Sequence, residues 1–296
     1  MEKMLQAVLL TAYKNINHIQ EVVDLLHDKK FVFFIHIDKK SQIQQNEINI
    51  LLKNDNVKLV SREFSINWGG INHLRAILHL LSEALKDEGI EYFHLITGHD
   101  FPVKPSGYIN SFMEENRGKE FMEVNKLPYF KWPGKGGVER LTLYNFYDLV
   151  DGRSGWGRRF INYSQKIQRR LGIKRRFSKD FPDLYGGSTY WSLSREFIMY
   201  VFNYMSNNPG YLRRFRYSFC SEEIFFQTLL YSSSFKDKVV NDNLRFIVWE
   251  ERNGNFPANL DDSDYEQIMN SNALFARKFE YPVSENLLRK IKNSMK

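Results

Sequence analysis

An α/β fold, a Rossmann-like mixed sheet flanked by helices, is what this sequence predicts, and three observations carry the prediction. Over roughly the first 100 residues, β-favouring apolar runs alternate with helical stripes across connections of a few residues, the order that builds a parallel sheet. The stretch Glu91–Val103, EYFHLITGHDFPV, holds Tyr92, Phe93, Leu95 and Ile96 in a nearly continuous apolar run, the habit of a strand buried on both faces. Among 296 residues no run approaches 18 apolar positions, so the apolar content goes into a core and not across a bilayer.

Taken in order, Met4–Tyr13 reads as a strand, and Ile19, Val22, Val23 and Leu26 as the stripe of a helix. Phe31–Ile37 is a second strand, followed by a helix around Ile43–Leu52 and a short strand at Val57–Val60. Ser61–Gly70 is a loop whose Gly69-Gly70 precedes a helix with Ile71, Leu74, Leu78, Leu81 and Leu85 at helical spacing. The strand at Tyr92–Ile96 comes next, and Pro102 is expected to end its pairing. Beyond it, Ser106 is read as the cap of a helix to Glu115, Glu120–Val124 as a strand, and Lys126–Gly137 as a Pro/Gly loop. Arg140–Val150 reads as an extended aromatic segment, and Phe160, Tyr163, Ile167 and Leu171 as one side of a helix. A strand at Thr189–Leu193, a helix capped by Ser194, and a helix Glu222–Leu230 capped by Ser221 with acids in its first turn complete the middle. Leu244–Trp249 is a late strand, Ser263 the cap of a helix to Met269, Leu274–Phe279 an apolar segment broken by Arg277-Lys278, and the C-terminus a basic amphipathic helix. With no repeat or linker composition, the chain is expected to be a single domain, 1–296.

Composition narrows the class. One cysteine, Cys220, excludes an internal disulfide and makes a cytoplasmic setting the expectation; the N-terminal apolar stretch has no small-residue cleavage site after it and reads as a strand, not a signal peptide. The net charge of +7 is concentrated, with ten Lys/Arg and no Asp/Glu from Arg153 to Lys179, leaving the rest of the chain at −3. No nucleic-acid-binding motif accompanies that patch, so nucleic acid is not an expected partner; the alternative from a different class is a non-catalytic basic protein that binds carbohydrate or nucleic acid. Trp156 beside the patch makes an anionic membrane surface a candidate partner, with a solvated basic face as the alternative.

The phosphate devices of common nucleotide enzymes are missing. There is no GxxxxGK[ST] loop, and no GxGxxG follows the first strand. Asp100 stands beyond the carboxyl end of a strand, where α/β sheets bind ligands, or it is a turn former. Where sugar-nucleotide transferases hold a metal with D-x-D, this strand ends in Gly98-His99-Asp100; Asp262-Ser263-Asp264 sits at a helix start and reads as capping. Arg277-Lys278, between Phe275 and Phe279, is either a phosphate clamp or a snorkelling surface pair.

Six segments in register then match a family: His36–Ser41 (HIDKKS), Ser61–Gly70 (SREFSINWGG), Phe93–Val103 (FHLITGHDFPV), Tyr185–Ser194 (YGGSTYWSLS), Ser221–Leu230 (SEEIFFQTLL) and Leu274–Phe279 (LFARKF). Together they resemble the core-2/I-branching N-acetylglucosaminyltransferases and peptide O-xylosyltransferases, glycosyltransferase family fourteen, from about Ala7 to Phe279. The resemblance implies a GT-A-type fold, an inverting mechanism, no cofactor and no metal. It implies a donor-nucleotide half at 1–103, an acceptor and catalytic half at 104–296, and a UDP-sugar donor, with UDP-GlcNAc ahead of UDP-xylose. Residue by residue it assigns Glu223 as general base and Asp38, Ser61, Arg62, Arg277 and Lys278 to the donor, beside Asp100; Glu123, Lys131 and Glu222 fall on the acceptor side. The disulfides and membrane anchor of vertebrate members have no counterpart here. That points to a bacterial-type member, acting on a saccharide that a lipid could carry, in the cytoplasm or on the inner membrane face.

Overall fold

A computed structural model describes residues 4–178 and 180–295. Lys179, the last residue of the basic run, lies outside the described residues. The first strands are β1 (Leu5–Ala12), β2 (Phe31–Ile37), β3 (Val57–Ser61) and β4 (Ile90–Thr97). They interleave with α1 (Ile16–Leu25), α2 (Gln45–Leu51) and α3 (Ile71–Ala84). β1 pairs in parallel with both β2 and β4, and β2 with β3, the arrangement expected from the alternating pattern. β5 (Asp100–Pro102), α4 (Ser106–Glu115), β6 (Glu120–Met122), β7 (Asn125–Lys126), β8 (Tyr185–Gly186) and β9 (Trp191–Ser194) follow. β10 (Val239–Val240), β11 (Arg245–Ile247) and β12 (Phe275–Arg277) complete the strands. The main sheet runs β10-β6-β9-β4-β1-β2-β3; β9 enters antiparallel to β4 and β6, making it the mixed sheet expected.

Strand alternation divides the core. Phe33, Ile35 and Ile37 of β2 join Val8 and Leu10 of β1 on one face, packed with α1 and the C-terminal helix Glu285–Ser294. Val32 and Phe34 turn the other way and join Ala7, Leu9, Phe93 and Leu95 under α3 and the helices Arg195–Asn207 and Phe225–Tyr231. Both faces are apolar because both are covered by helices.

Several local expectations change. Pro102 does not end pairing: β5 is an edge strand of a second sheet, order β11-β12-β5, where a missing N–H faces away from the ladder. Ser106 opens α4 without capping it, with Pro105 ahead of it. The strand at Glu120 stops at Met122, and the Val124 N–H donates to the Asn241 side chain instead. Arg140–Val150 is not extended; Glu139–Thr142 is a helical turn, and Phe146 and Tyr147 then pack on Tyr217 and Phe219, rings that sequence distance hides. Ser263 is not a cap; Asp261 and Asp264 form a reciprocal capping box before the helix Tyr265–Asn270. Ser194 does cap its helix, accepting from the Phe197 N–H at 3.2 Å.

Beneath the site, a buried polar network is organised by His94, whose ring meets Ser192 Oγ at 2.7 Å and Gln6 Oε1 at 2.8 Å. Burial holds His36, His94 and His99 below the ordinary imidazole range, at about 4, 3 and 3. The unfolded chain binds these protons below about 6.5 and the folded chain does not, so stability present at neutral pH is lost as pH falls from about 6.5 toward those values. Denaturant unfolding from pH 7 to 4 is expected to show this loss. His94→Gln should remove about one proton from the slope, about 1.4 kcal/mol per pH unit; an unchanged slope would show that His94 is not among the groups responsible.

Candidate active site

The parallel strands β1, β2 and β4 end at one edge of the sheet, and a cavity of about 1740 Å³ opens there, lined by Ala12, Tyr13, Asp38 and Thr97 at the strand ends. Glu123, Lys131, Arg140, Glu222, Glu223, Arg277 and Lys278 line the same cavity. Seven sequence-assigned residues are thus brought together: Asp38, Glu123, Lys131, Glu222, Glu223, Arg277 and Lys278. Ser61, Arg62 and Asp100 are not among the lining residues.

The three exceptions have local reasons. Arg62 turns onto the backbone, donating to the carbonyls of Ile43 at 3.1 Å and Ser41 at 2.8 Å, so it braces the loop that lines the cavity. Ser61 ends β3, and its hydroxyl accepts from the Glu63 N–H. Asp100 is fully buried; its Oδ2 accepts from the Thr97 N–H and hydroxyl, and its Oδ1 lies 3.4 Å from Arg277 Nη1. It is a counter-ion and a corner brace, neither a free ligand nor only a turn former.

Asp38 follows β2 and is 7% exposed; its Oδ1 accepts from the N–H groups of Lys40 and Ile66, tying two rim loops together. Arg277 ends β12, its guanidinium 4.2 Å from the Tyr190 ring centroid. Burial is the main cause lowering its proton affinity, with Asp100 opposing, and its Nε and Nη1 have no hydrogen-bond partner. Lys278 is lowered chiefly by burial and then by Arg277 beside it. Two adjacent, partly desolvated cations make a site for an anion.

Glu222 and Glu223 are not in the first turn of a long helix. They occupy a separate turn, Ser221–Glu223, and the helix begins at Phe225; Cys220 before it sits at φ 49°. Ser221 does not cap, its hydroxyl donating weakly to the Phe215 carbonyl at 3.4 Å. A helix dipole therefore does not set the Glu223 carboxyl. Burial raises it, Arg140 opposes, and Glu222 raises it further. Glu223 Oε2 is paired with Arg140, and Oε1 accepts from the Thr189 hydroxyl at 3.4 Å. Arg140 in turn lies 3.8 Å above the Trp132 ring, so the cation is held from behind. Glu222 bonds instead to His73 Nδ1 at 3.1 Å, and His73 Nε2 meets Thr11 Oγ1 at 3.1 Å. The Glu223 carbonyl accepts from the Gly187 N–H at 2.9 Å; a Cβ at Gly187 would fall 1.8 Å from the Glu123 carbonyl oxygen, so only glycine permits this approach.

A family model for the core-2/I-branching enzymes matches residues 7–270. The chain belongs to that family. Among curated relatives, xylosyltransferase 2 of Canis lupus familiaris is 24% identical over 300 residues, covering 95% of this chain and 32% of that protein. Xylosyltransferase oxt of Drosophila pseudoobscura pseudoobscura is 23% identical over 304 residues, with the same coverage. The chain thus spans about a third of the length of these relatives. Staphylococcus aureus TarS 1–349 in complex with UDP-GlcNAc aligns at 17% identity and a TM-score of 0.31 over 40% of this chain and 34% of that one, too little to bear on fold or site. The seven-stranded sheet is mixed and flanked by helices, as the sequence leads one to expect.

Residue-type reasoning missed Arg140, Thr189, His73 and Trp132. Arg140 lies 83 residues before Glu223 in a segment without a motif, and only the fold joins them. Another carboxyl of the lining, Glu123, accepts from Asn125 Nδ2 at 3.2 Å and is also raised by burial. Because Arg140 favours the ionised form of Glu223, Arg140→Met should move the titration of that carboxyl to higher pH. Carboxyl-carbon NMR on glutamate-labelled protein measures this, and no movement would mean the pair is not populated in solution.

Proposed function

We propose that this protein is an inverting glycosyltransferase that moves a sugar from a UDP-sugar to a saccharide hydroxyl without a metal. The observation that carries the reading is the pairing, in one cavity, of a partly buried carboxylate, Glu223, with two adjacent cations, Arg277 and Lys278. Family membership supports it. In the proposed reaction, Glu223 takes the proton of the acceptor hydroxyl as that oxygen bonds to the anomeric carbon. The bond from that carbon to the diphosphate oxygen breaks on the opposite face, so configuration inverts and UDP leaves with the electron pair. Arg277 and Lys278 meet the charge growing on the leaving diphosphate, the task a divalent cation would otherwise have. Asp38 is assigned to the nucleotide, and Glu123, Lys131 and Glu222 to the acceptor side, all on the cavity wall.

UDP-GlcNAc is the proposed donor. UDP-xylose is the second reading, favoured by the xylosyltransferase names of the relatives. Among the described residues no helix is long and apolar enough to cross a membrane. A lipid-linked acceptor, met with the protein docked on the cytoplasmic face, belongs to the same proposal.

A panel of UDP-sugars, scored for transfer and hydrolysis, tests the assignment. Activity is expected to survive excess EDTA within about twofold, since no cation serves as Lewis acid; a loss restored only by Mn²⁺ would refute metal independence. Glu223→Gln should lower turnover by ~10²–10⁴-fold with UDP binding nearly unchanged, and Glu222→Gln should cost less. Equal and severe losses from both, or normal turnover by Glu223→Gln, would move the base elsewhere. The acid limb of the rate profile should lie above the ordinary carboxylate range, with activity falling as pH drops through it, because burial raises Glu223.

A further inference from the structure

The helix Gly155–Arg170 buries little of itself: Gly157, Ile161 and Gln168 are its covered positions. Trp156, Phe160, Tyr163, Ile167 and, just past its end, Leu171 recur at helical spacing on a different side, and are 68, 39, 67, 37 and 67% exposed. In an ordinary surface helix the apolar stripe is the buried one. Here the apolar stripe and the buried face are distinct, and Trp156 stacks on Phe160 at 5.5 Å along the outward side. Arg159, Lys166 and Arg170 adjoin that stripe and are exposed, and among the described residues none of the three forms an ion pair. Arg169, on the far side, pairs with Glu139 at 2.7 Å.

We propose that this helix is a docking surface for an anionic lipid bilayer, lying in the headgroup plane with Trp156, Tyr163 and Leu171 toward the acyl boundary. An outward apolar stripe bordered by Lys/Arg is the pattern of an interfacial helix, and Trp and Tyr suit that depth. The charge argues for lipid over a protein partner: a run with ten basic residues and no acid complements a continuous negative sheet. The surface also adjoins the cavity. Asp151 and Arg153, just before the helix, line it, and Arg169 holds Glu139, the neighbour of Arg140. Docking would thus set the cavity rim beside the bilayer, a consequence that rests on the proposed lipid-linked acceptor.

The test is co-sedimentation of the full chain, without donor, with vesicles of phosphatidylcholine alone or mixed with phosphatidylglycerol, at low and high salt. Binding should need the anionic lipid and weaken in high salt. Arg159→Gln/Lys166→Gln/Arg170→Gln should lower partition on the order of 100-fold, at about fivefold per basic residue. Trp156→Ser/Tyr163→Ser/Leu171→Ser should also lower it at least ~10-fold, the apolar contribution, while Lys236→Gln/Lys238→Gln on a distant turn should not. Equal partition into both vesicle types, no binding at low salt, or an unaffected apolar variant would overturn the proposal. So would a concentration-dependent self-association that the apolar variant abolishes in place of lipid binding, which would make a second copy the occupant. Transfer to a water-soluble acceptor is measured separately. Its failure with intact vesicle binding overturns the catalytic reading alone, and the converse overturns the docking alone.

Discussion

The buried ion pair between Asp100 and Arg277 is the constraint on which the site depends. Asp100 is fully buried and Arg277 nearly so, and they face each other in register across β5 and β12. Removing one member of such a pair strands the other charge at a cost of about 3–5 kcal/mol. The pair therefore does two things at once. It locks the small sheet onto the end of β4 through Thr97, and it holds a cation at the cavity wall that would otherwise swing to water. Because the guanidinium keeps donors unpaired, its charge is not fully spent on Asp100.

Elsewhere in the same lining, the logic holds with the sign reversed. Glu223 is an acid in a place that disfavours ionisation, and Arg140 restores part of what burial removes. Arg140 is in turn fixed against Trp132. Glu222, next in sequence, is drawn off by His73 at the start of α3, so two neighbouring carboxylates face different partners. The separation follows from the tight turn at Cys220, which presents them before the helix at Phe225 begins. Electrostatic preorganisation of this kind costs stability locally and is maintained by the large two-faced core behind it.

The parallel strands contribute position. β1, β2 and β4 are held on both faces by apolar packing under helices. Their ends are therefore fixed, and the loops carrying Asp38 and the Trp68-Gly69-Gly70 corner are braced on them. Gly69, at φ 82°, passes so close to the Phe219 ring that a Cβ would lie 2.5 Å from it. That contact brings the aromatic segment before Cys220 against the loop before α3, and the cavity closes around it.

Where apolar period and length are strong, the sequence alone determined the outcome. β2 falls on Phe31–Ile37 as read, α3 begins at Ile71 after Gly69-Gly70, and Ser194 caps its helix, because these depend on short-range periodicity and capping. The motifs likewise located Glu223, Arg277 and Lys278, and the structure brings them to one cavity. Tertiary structure alone decided the rest. Pro102 became an edge-strand residue because β12, 173 positions further on, arrives to pair with it. Asp100 was turned inward by Arg277, Arg62 was taken by loop carbonyls, and Arg140 was delivered to Glu223 from a segment with no motif. The stripe on Gly155–Arg170 shows the same division: its spacing is legible in the chain, but which side meets solvent depends on what packs against Ile161 and Gln168. Partners distant in sequence leave no local period, and burial of a charge is settled only by what folds over it.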